Sequence, residues 1–368
     1  GVKMSGIYGM NLKLSIFGES HGKSIGCILD GLPPGLALDL EKLQLELDRR
    51  APGKNLLSTQ RKESDVFEIQ SGFFEGHTTG TPLCAIIKNS DQHSKDYSIL
   101  KDKMRPGHAD YAGFVRYQGF NDYRGGGHFS GRITAPLVFA GAVAKQALAQ
   151  LGIKIGAHIL SINNICENNF NPLGESKELL TELQGKAFPV LDDLKGSQMQ
   201  ARILEAKANL DSVGGVIETM AINLPAGIGA PYFDSLESRL AHMLFSVPAV
   251  KGLEFGAGFG ITQMTGSAAN DEMHYEAGQV KTTSNNNGGI TGGITNSMPV
   301  LFRVAIKPTP SISREQNTIS LAEAQDTKLT IVGRHDPCIV QRAVPVIEAA
   351  TAWVIWDMLL EAKKWEKK

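Results

Sequence analysis

What this sequence lacks narrows it first. Its four cysteines, Cys27, Cys84, Cys166 and Cys338, are scattered with no CxxC pair, so neither a thiolate metal site nor a disulfide framework is indicated. Buried thiols in a reducing compartment are the expectation. There is no HExxH and no close pair of histidines, which argues against zinc chemistry. No run of eighteen apolar residues occurs, so no membrane span is expected. The N-terminus lacks the charged, apolar and small-residue order of a signal peptide, and Gly1-Val2-Lys3 ahead of Met4 reads as a cloning remnant. A charge excess of either sign is missing as well: 37 basic residues face 38 acidic ones, a net charge of −1. A nucleic-acid binder usually carries a broad basic field, so any anion site here must come from local clustering. A cytoplasmic location, with neither nucleic acid nor membrane as a partner, follows as the expectation.

Other material is plentiful. The 368 residues are 42% apolar, enough for a large core, and include 40 glycines. Glycine costs backbone entropy, so this many points to tight turns or to close backbone approach. Leu12, Leu14 and Ile16 alternate with polar residues as a half-buried strand. They lead into Phe17-Gly18-Glu19-Ser20-His21-Gly22, and Ser24 to Leu29 reads as a second strand. Leu40 to Arg50 is predicted as an amphipathic helix stopped by Pro52-Gly53. Val66–Ser71, Pro82–Lys88, Gly214–Leu224, Lys251–Phe259 and Val300–Ile306 read as strands. Helices are predicted over about Thr134–Leu151, Ser197–Leu210, Pro231–Phe245 with a cap near Asp234, and Val344–Lys364. Asn163–Ser176 reads as a polar loop and Asp271–Asn287 as a mobile one. No linker or repeat stands out, so one α+β domain over residues 1–368 is the simplest organisation.

Gly18-Glu19-Ser20-His21-Gly22 fits the G-x-S-x-G pattern of a nucleophile elbow. An elbow needs strand, turn, then helix, whereas the residues after Gly22 alternate like a strand. The same stretch can instead present a histidine for acid–base work. Two further Gly/Pro-bounded loops carry similar side chains, Arg105-Pro106-Gly107-His108-Ala109-Asp110 and Gly333-Arg334-His335-Asp336-Pro337-Cys338. Arginine pairs with phosphate and carboxylate, and histidine moves protons near neutral pH. Together they suggest an anionic substrate and proton transfer. Three glycines in Arg124-Gly125-Gly126-Gly127, ahead of a helix, could bring amides to an anion, but neither GxGxxG nor a Walker A lysine is present.

These pieces, with Asp48-Arg49-Arg50, Asp122-Tyr123-Arg124, the Gly288–Gly293 run and Lys307-Pro308-Thr309-Pro310-Ser311, resemble the chorismate synthase family in order and approximate spacing, over essentially the whole chain. The resemblance implies a β-α-β sandwich, with central helices between antiparallel sheets, assembled as a homotetramer. It implies conversion of 5-enolpyruvylshikimate 3-phosphate to chorismate by anti-1,4-elimination of phosphate, a lyase reaction that closes the shared part of aromatic amino-acid synthesis. Reduced FMN is required without net redox change, and NADPH enters as an indirect reductant. No Rossmann fingerprint is present, which favours a separate flavin reductase as partner.

The resemblance also implies roles. His21 protonates the departing phosphate, His108 supports reduced flavin, and Asp336 helps a flavin proton move, with Ser20 and Ser130 relaying or orienting. Arg50, Arg105, Arg132 and Arg334 hold substrate anions, and Arg50 is also the position offered to NADP. Flavin lies against His128, Phe129, Ser130, Pro248, Ala249, Gly292, Lys307, Pro308, Thr309, Pro310, Ser311 and Arg334, with Lys307 on its phosphate. The sequence departs from the family pattern at three places. His128 stands for a common arginine, Leu56 for another (with Lys54 or Arg61 as alternatives for that charge), and Pro248 for an asparagine. His77, His93, His158, His242, His274 and His335 read as structural or surface groups, and Trp353 and Trp356 as core or interface. Two other readings stay open: a flavin-binding homologue without elimination activity, and a serine hydrolase using Ser20.

Overall fold

The computed structural model describes residues 6–52, 65–90, 99–331 and 335–363. Two five-stranded antiparallel sheets enclose a helical layer. The first runs, in spatial order, Ile7–Tyr8, Lys13–Gly18, Ser24–Asp30, Leu83–Lys88, Phe67–Ser71. The second runs Val250–Phe255, Val300–Ile306, Gly215–Ile222, Lys154–Ile162, Ile165–Cys166. Between them lie α1 (Leu40–Arg50), α3 (Thr134–Gln150) and α8 (Val340–Lys363). The remaining helices among the described residues are α2 (Asp110–Arg116), α4 (Lys177–Gly185), α5 (Asp193–Ala208), α6 (Leu236–Leu244) and the single turn α7 (Gly266–Ala269).

Each central helix follows from its residues. In α1, the Asp39 carboxylate accepts from the Lys42 amide, Glu41 sits in the first turn, and Arg49 and Arg50 sit in the last. Both ends therefore suit the helix dipole. Leu43 and Leu47, one turn apart, are buried. α3 is apolar on every side and buried nearly throughout, as a helix covered from all directions must be. α8 is, among the described residues, the one helix long and apolar enough to cross a membrane, and it runs buried through the interior instead. The two long helices touch at Gly141, where a Cβ would come within 2.3 Å of Ala349 Cα. Nothing larger than hydrogen allows that crossing.

Long-range ties place the site-bearing hairpin. The buried Asp357 carboxylate, near the end of α8, accepts from the amides of Met10 (2.8 Å), Asn11 (2.7 Å) and Leu12 (2.8 Å). That bond set anchors the turn entering strand Lys13–Gly18. On the second sheet, strand register lines up Glu254, Arg303, Glu218 and His158 as cross-strand neighbours. His158 is buried with Glu167 at 2.5 Å from Nδ1 and Glu218 at 3.0 Å from Nε2. Burial alone would lower its pKa, but the two carboxylates more than offset that and raise it.

Several expectations are corrected. Residues 163–176 are not simply a polar loop: they include strand Ile165–Cys166, a buried Glu167 and a buried Phe170. Residues 271–287 hold a hairpin, Met273–Glu276 with Gln279–Thr282. Asp271 fastens its base by accepting from Ser284, Asn286 and Asn287. The cap of α6 is Ser235, not Asp234. α5 starts at Asp193, earlier than expected, because Asp192 caps it. α8 starts at Val340 with Pro345 inside, although proline is usual only in a first turn. Cys166 is exposed and Cys84 half-buried, so the buried thiols are Cys27 and Cys338. α2, α4, strand Lys154–Ile162 and the hairpin Gln316–Ser320 with Gln325–Leu329 were not anticipated.

Gly141→Val should destabilise the protein by about 1–3 kcal/mol through overpacking against Ala349, read as a lower Tm in thermal unfolding. Gly185→Ala is the control: an added methyl meets nothing within 4 Å, so Tm should hold or rise slightly.

Candidate active site

A cavity of about 770 Å³ lies where loops from both sheets meet the starts of α3 and α8. Its lining includes the apolar Leu14, Ile16, Met243, Val247, Ile339 and Val346. It also carries Arg50, Arg105, His108, Ser130, Arg132, His335, Asp336 and Arg342, with Lys251 and Lys307. Two of the three Gly/Pro-bounded loops reach this wall, through Arg105, Gly107, His108 and Ala109 and through His335 and Asp336.

Ser20 and His21 lie just behind this wall. Gly18 ends one strand opposite Ile25 of the next, so the segment is a hairpin turn followed by a strand, without the helix a nucleophile elbow requires. The Ser20 hydroxyl is buried and lies 3.2 Å and 3.1 Å from the carbonyl oxygens of Arg124 and Gly125. It also lies 3.1 Å from His21 Nδ1. A hydroxyl has one proton. With carbonyls taking that proton, the oxygen accepts from Nδ1–H. Ser20 thereby fixes the ring as a donor at Nδ1 and is not deprotonated by it. The nearby Asp122 carboxylate is held below its ordinary value first by Arg124, with a smaller contribution from His21.

The triple-glycine turn passes between the two key histidines. Gly125, Gly126 and Gly127 have φ of 58°, 86° and 53°. A Cβ on Gly125 would lie 2.2 Å from His21 Cε1, and one on Gly126 would lie 3.2 Å from His108 Nε2. Glycine here is required by both conformation and space. Its role is to let a thin strip of backbone separate the histidines and form part of the wall.

Arg105, His108 and Asp110 form a compact unit. Asp110 accepts from the Arg105 amide (3.0 Å), Nε (2.7 Å) and Nη2 (2.8 Å). His108 Nδ1 lies 2.6 Å from Asp110 Oδ1 and 3.1 Å from Arg105 Nη2. Arginine can only donate, so the shorter contact decides: Nδ1 carries hydrogen and donates to Asp110. Arg105 Nη1 reaches the buried Ser311 hydroxyl at 3.2 Å. Burial would push the Asp110 carboxyl up, but bonds to Arg105 and His108 hold it well below the usual carboxylate range.

The remaining arginines are also paired. Arg50 donates through Nε at 2.7 Å to one oxygen of buried Asp65, and its Nη2 stands 2.6 Å from the same oxygen as an ion-pair contact. The Arg132 guanidinium meets the other oxygen through Nη1 and reaches Asn89 through Nε at 3.0 Å. Arg342, at the start of α8, meets Asp336 at 2.5 Å and donates to the Arg50 carbonyl at 3.0 Å. Ser130 accepts from the Arg132 amide at 3.3 Å, capping the turn before α3.

Of the residues expected to hold a cofactor, His128, Phe129, Ser130, Pro248, Ala249, Lys307, Thr309, Pro310 and Ser311 line the cavity. His128 Nδ1 meets the Gly18 carbonyl at 2.8 Å and the side chain is exposed. Lys307 donates to the Gly107 carbonyl. Pro308 and Gly292 are not on the wall. Gly292 has φ 59° with nothing within 4 Å of a would-be Cβ, so backbone conformation explains this glycine. Arg334, Leu56, Lys54 and Arg61 lie outside the described residues. The sequence reading passed over Asp65, Lys251, Arg342 and the structural role of Asp110, and it set His335 aside. His335 lines the cavity, its buried Nε2 has no hydrogen-bond partner among the described residues, and burial followed by Arg105 lowers its pKa. Its place beside Arg334 and Asp336 in one loop was the available signal; Asp65 and Arg342 had none beyond their charge.

A family model described as chorismate synthase matches residues 12–360. A chorismate synthase of Dehalococcoides mccartyi is 46% identical over 98% of this chain and 98% of its own length. One from Thermococcus kodakarensis is 44% identical over 97% and 98%. A crystal structure of a chorismate synthase superposes with a TM-score of 0.76 at 31% identity, covering 96% of this chain and 93% of that one.

The depressed pKa of Asp110 has a direction that can be checked. A carboxylate whose pKa falls on folding contributes stability that is full above its unfolded pKa, about 3.9, and is lost as pH drops through the lower folded value. Thermal unfolding of wild type and Asp110→Asn should therefore differ most from pH 5 to 7, and the gap should shrink only below about pH 4. A constant gap from pH 7 to 3 contradicts this assignment.

Proposed function

The chain belongs to the chorismate synthase family, and from that premise we propose that it converts 5-enolpyruvylshikimate 3-phosphate to chorismate as a carbon–oxygen lyase, using reduced FMN. The observation that carries the proposal is the gathering of Arg50, Arg105, Arg132 and Arg342 with His108 and Asp336 around one cavity. A substrate bearing a phosphate and carboxylates needs those cations, and loss of phosphate with a ring hydrogen needs groups that move protons.

The donor set fits a flavin mononucleotide. The cavity has apolar lining residues for a ring system, Lys251 and Lys307 for a phosphate, and His335 Nε2, without a hydrogen-bond partner among the described residues, as a polar contact. His128, Phe129, Pro248, Ala249 and the Lys307–Ser311 strand end would hold it, with Arg334 as a further family-implied contact. The chemistry such a flavin would supply when bound is reversible one-electron reduction in support of C–O cleavage, with no net redox change.

The chain's own residues do the rest. His21, with Nδ1 donating to Ser20, is the family-implied acid for the leaving phosphate, and a protonated phosphate departs more easily. Asp110 keeps the His108 ring oriented through Nδ1, leaving Nε2 to support negative charge on the cofactor. Asp336, paired with Arg342, takes up or relays a proton near the cofactor, and Ser130 orients the turn that presents Arg132. Arg50, Arg105, Arg132 and Arg334 hold the substrate's anionic groups. The whole chain works as one unit, in a cytoplasmic homotetramer. NADPH acts as an indirect reductant through a separate flavin reductase, and Arg50 is the position offered to it.

The test is an anaerobic assay with reduced FMN and substrate, following phosphate release and chorismate absorbance. Wild type should form both in equal amounts. His21→Ala and His108→Ala should each lower kcat by about 10²–10⁴-fold with little change in substrate KM, the usual scale for proton-transfer groups. Wild-type rates in both variants would sink these roles. Flavin binding without turnover in the wild type would support a non-eliminating homologue. Flavin-independent ester hydrolysis abolished by Ser20→Ala would support a hydrolase.

A further inference from the structure

We infer that Asp65 is a positioning residue that fixes Arg50 and Arg132 as a single anion-binding pair for the substrate. The inference rests on the functional reading above, in which both arginines meet the substrate. Arg50 and Arg132 line the cavity, whereas Asp65 does not. It sits behind them with its side chain fully buried. One carboxylate oxygen takes Arg50 through Nε at 2.7 Å, with Nη2 at 2.6 Å as an ion-pair contact, and the other takes Arg132 Nη1. The two arginines come from different elements, the last turn of α1 and the turn before α3. Asp65 is the atom bridge that relates their positions.

Physical chemistry gives this arrangement a consequence. Two guanidiniums side by side and largely out of water repel, and a shared counter-ion lets them coexist. One acid between two bases leaves a net positive charge, and the cavity is the face on which an anion can meet it. Because Asp65 stands behind the wall, it does not occupy the place of a bound anion. Its effect on substrate is exerted through the geometry of the pair. An arginine side chain has much rotamer freedom to lose, so a pair already held in place binds a doubly anchored substrate more tightly than a loose one.

Asp65→Glu keeps the charge and moves the carboxylate by one methylene, while Asp65→Asn keeps the shape and removes the charge. Both should raise substrate KM by about tenfold or more while kcat stays within about threefold, the mark of lost ground-state binding. Flavin Kd should not change. In an Arg50→Ala background, Asp65→Asn should raise KM by less than it does in wild type, because part of what it positions is gone. Asp65→Glu carries the test if Asp65→Asn does not fold. A folded Asp65→Glu with KM within about twofold of wild type overturns the inference. So does a parallel fall in kcat, flavin affinity and Tm, which marks a merely structural carboxylate. If Arg50→Ala raises KM and neither Asp65 variant does, the inference fails and the functional reading stands. If wild type makes no chorismate, the reading itself fails.

Discussion

The cavity depends on aspartates that stand against its arginines. Each arginine on the described wall has one: Asp65 serves Arg50 and Arg132, Asp110 serves Arg105, and Asp336 serves Arg342. A free surface arginine would be mobile and well hydrated. Held in a charge-assisted bond, it is turned and partly dehydrated before any ligand arrives. The arrangement exchanges some stability, since burying charge is costly even when paired, for fixed cations of the kind that stabilise developing negative charge. The histidines follow the same rule, with Ser20 and Asp110 each deciding which ring nitrogen carries hydrogen.

α8 ties this charged wall to the core. Its first turn brings Arg342 to Asp336, its middle buries Glu348 between Arg49 and Lys145, and its end holds the entrance of the first hairpin through Asp357. Burial would raise the Glu348 carboxyl, but Arg49 and Lys145 outweigh it and bring it down to about 2. That cluster locks α1, α3 and α8 together beside Arg50. A helix apolar enough to look like a membrane span is thus the post on which both the core and the charged wall are mounted.

Elements with strong local signals were legible in the sequence. The bounds of α1 followed from its amphipathic period and the Pro52-Gly53 after it. The strand after Gly22 was visible enough to reject a nucleophile elbow. The three chemistry-bearing loops could be named, because each concentrates its side chains within six residues. What could not be read is non-local. Nothing near Asp65 says that it will meet Arg50 and Arg132, and the row Glu254, Arg303, Glu218, His158 exists only once four strands are in register. The hairpin within 271–287 was missed for a related reason. Its strands are mostly exposed, so no apolar alternation marks them. The triple glycine could be named as a turn able to bring amides to an anion, but not that Gly125 and Gly126 leave room for His21 and His108.

The most direct test of carboxylate-held cations is the titration of Asp110 itself. Its carboxyl can be followed by 13C NMR, assigned with Asp110→Asn, as pH is lowered while the chain remains folded. The account predicts that the resonance stays that of an ionised carboxylate after ordinary aspartates have titrated near about 3.9. A midpoint at or above that value would contradict it.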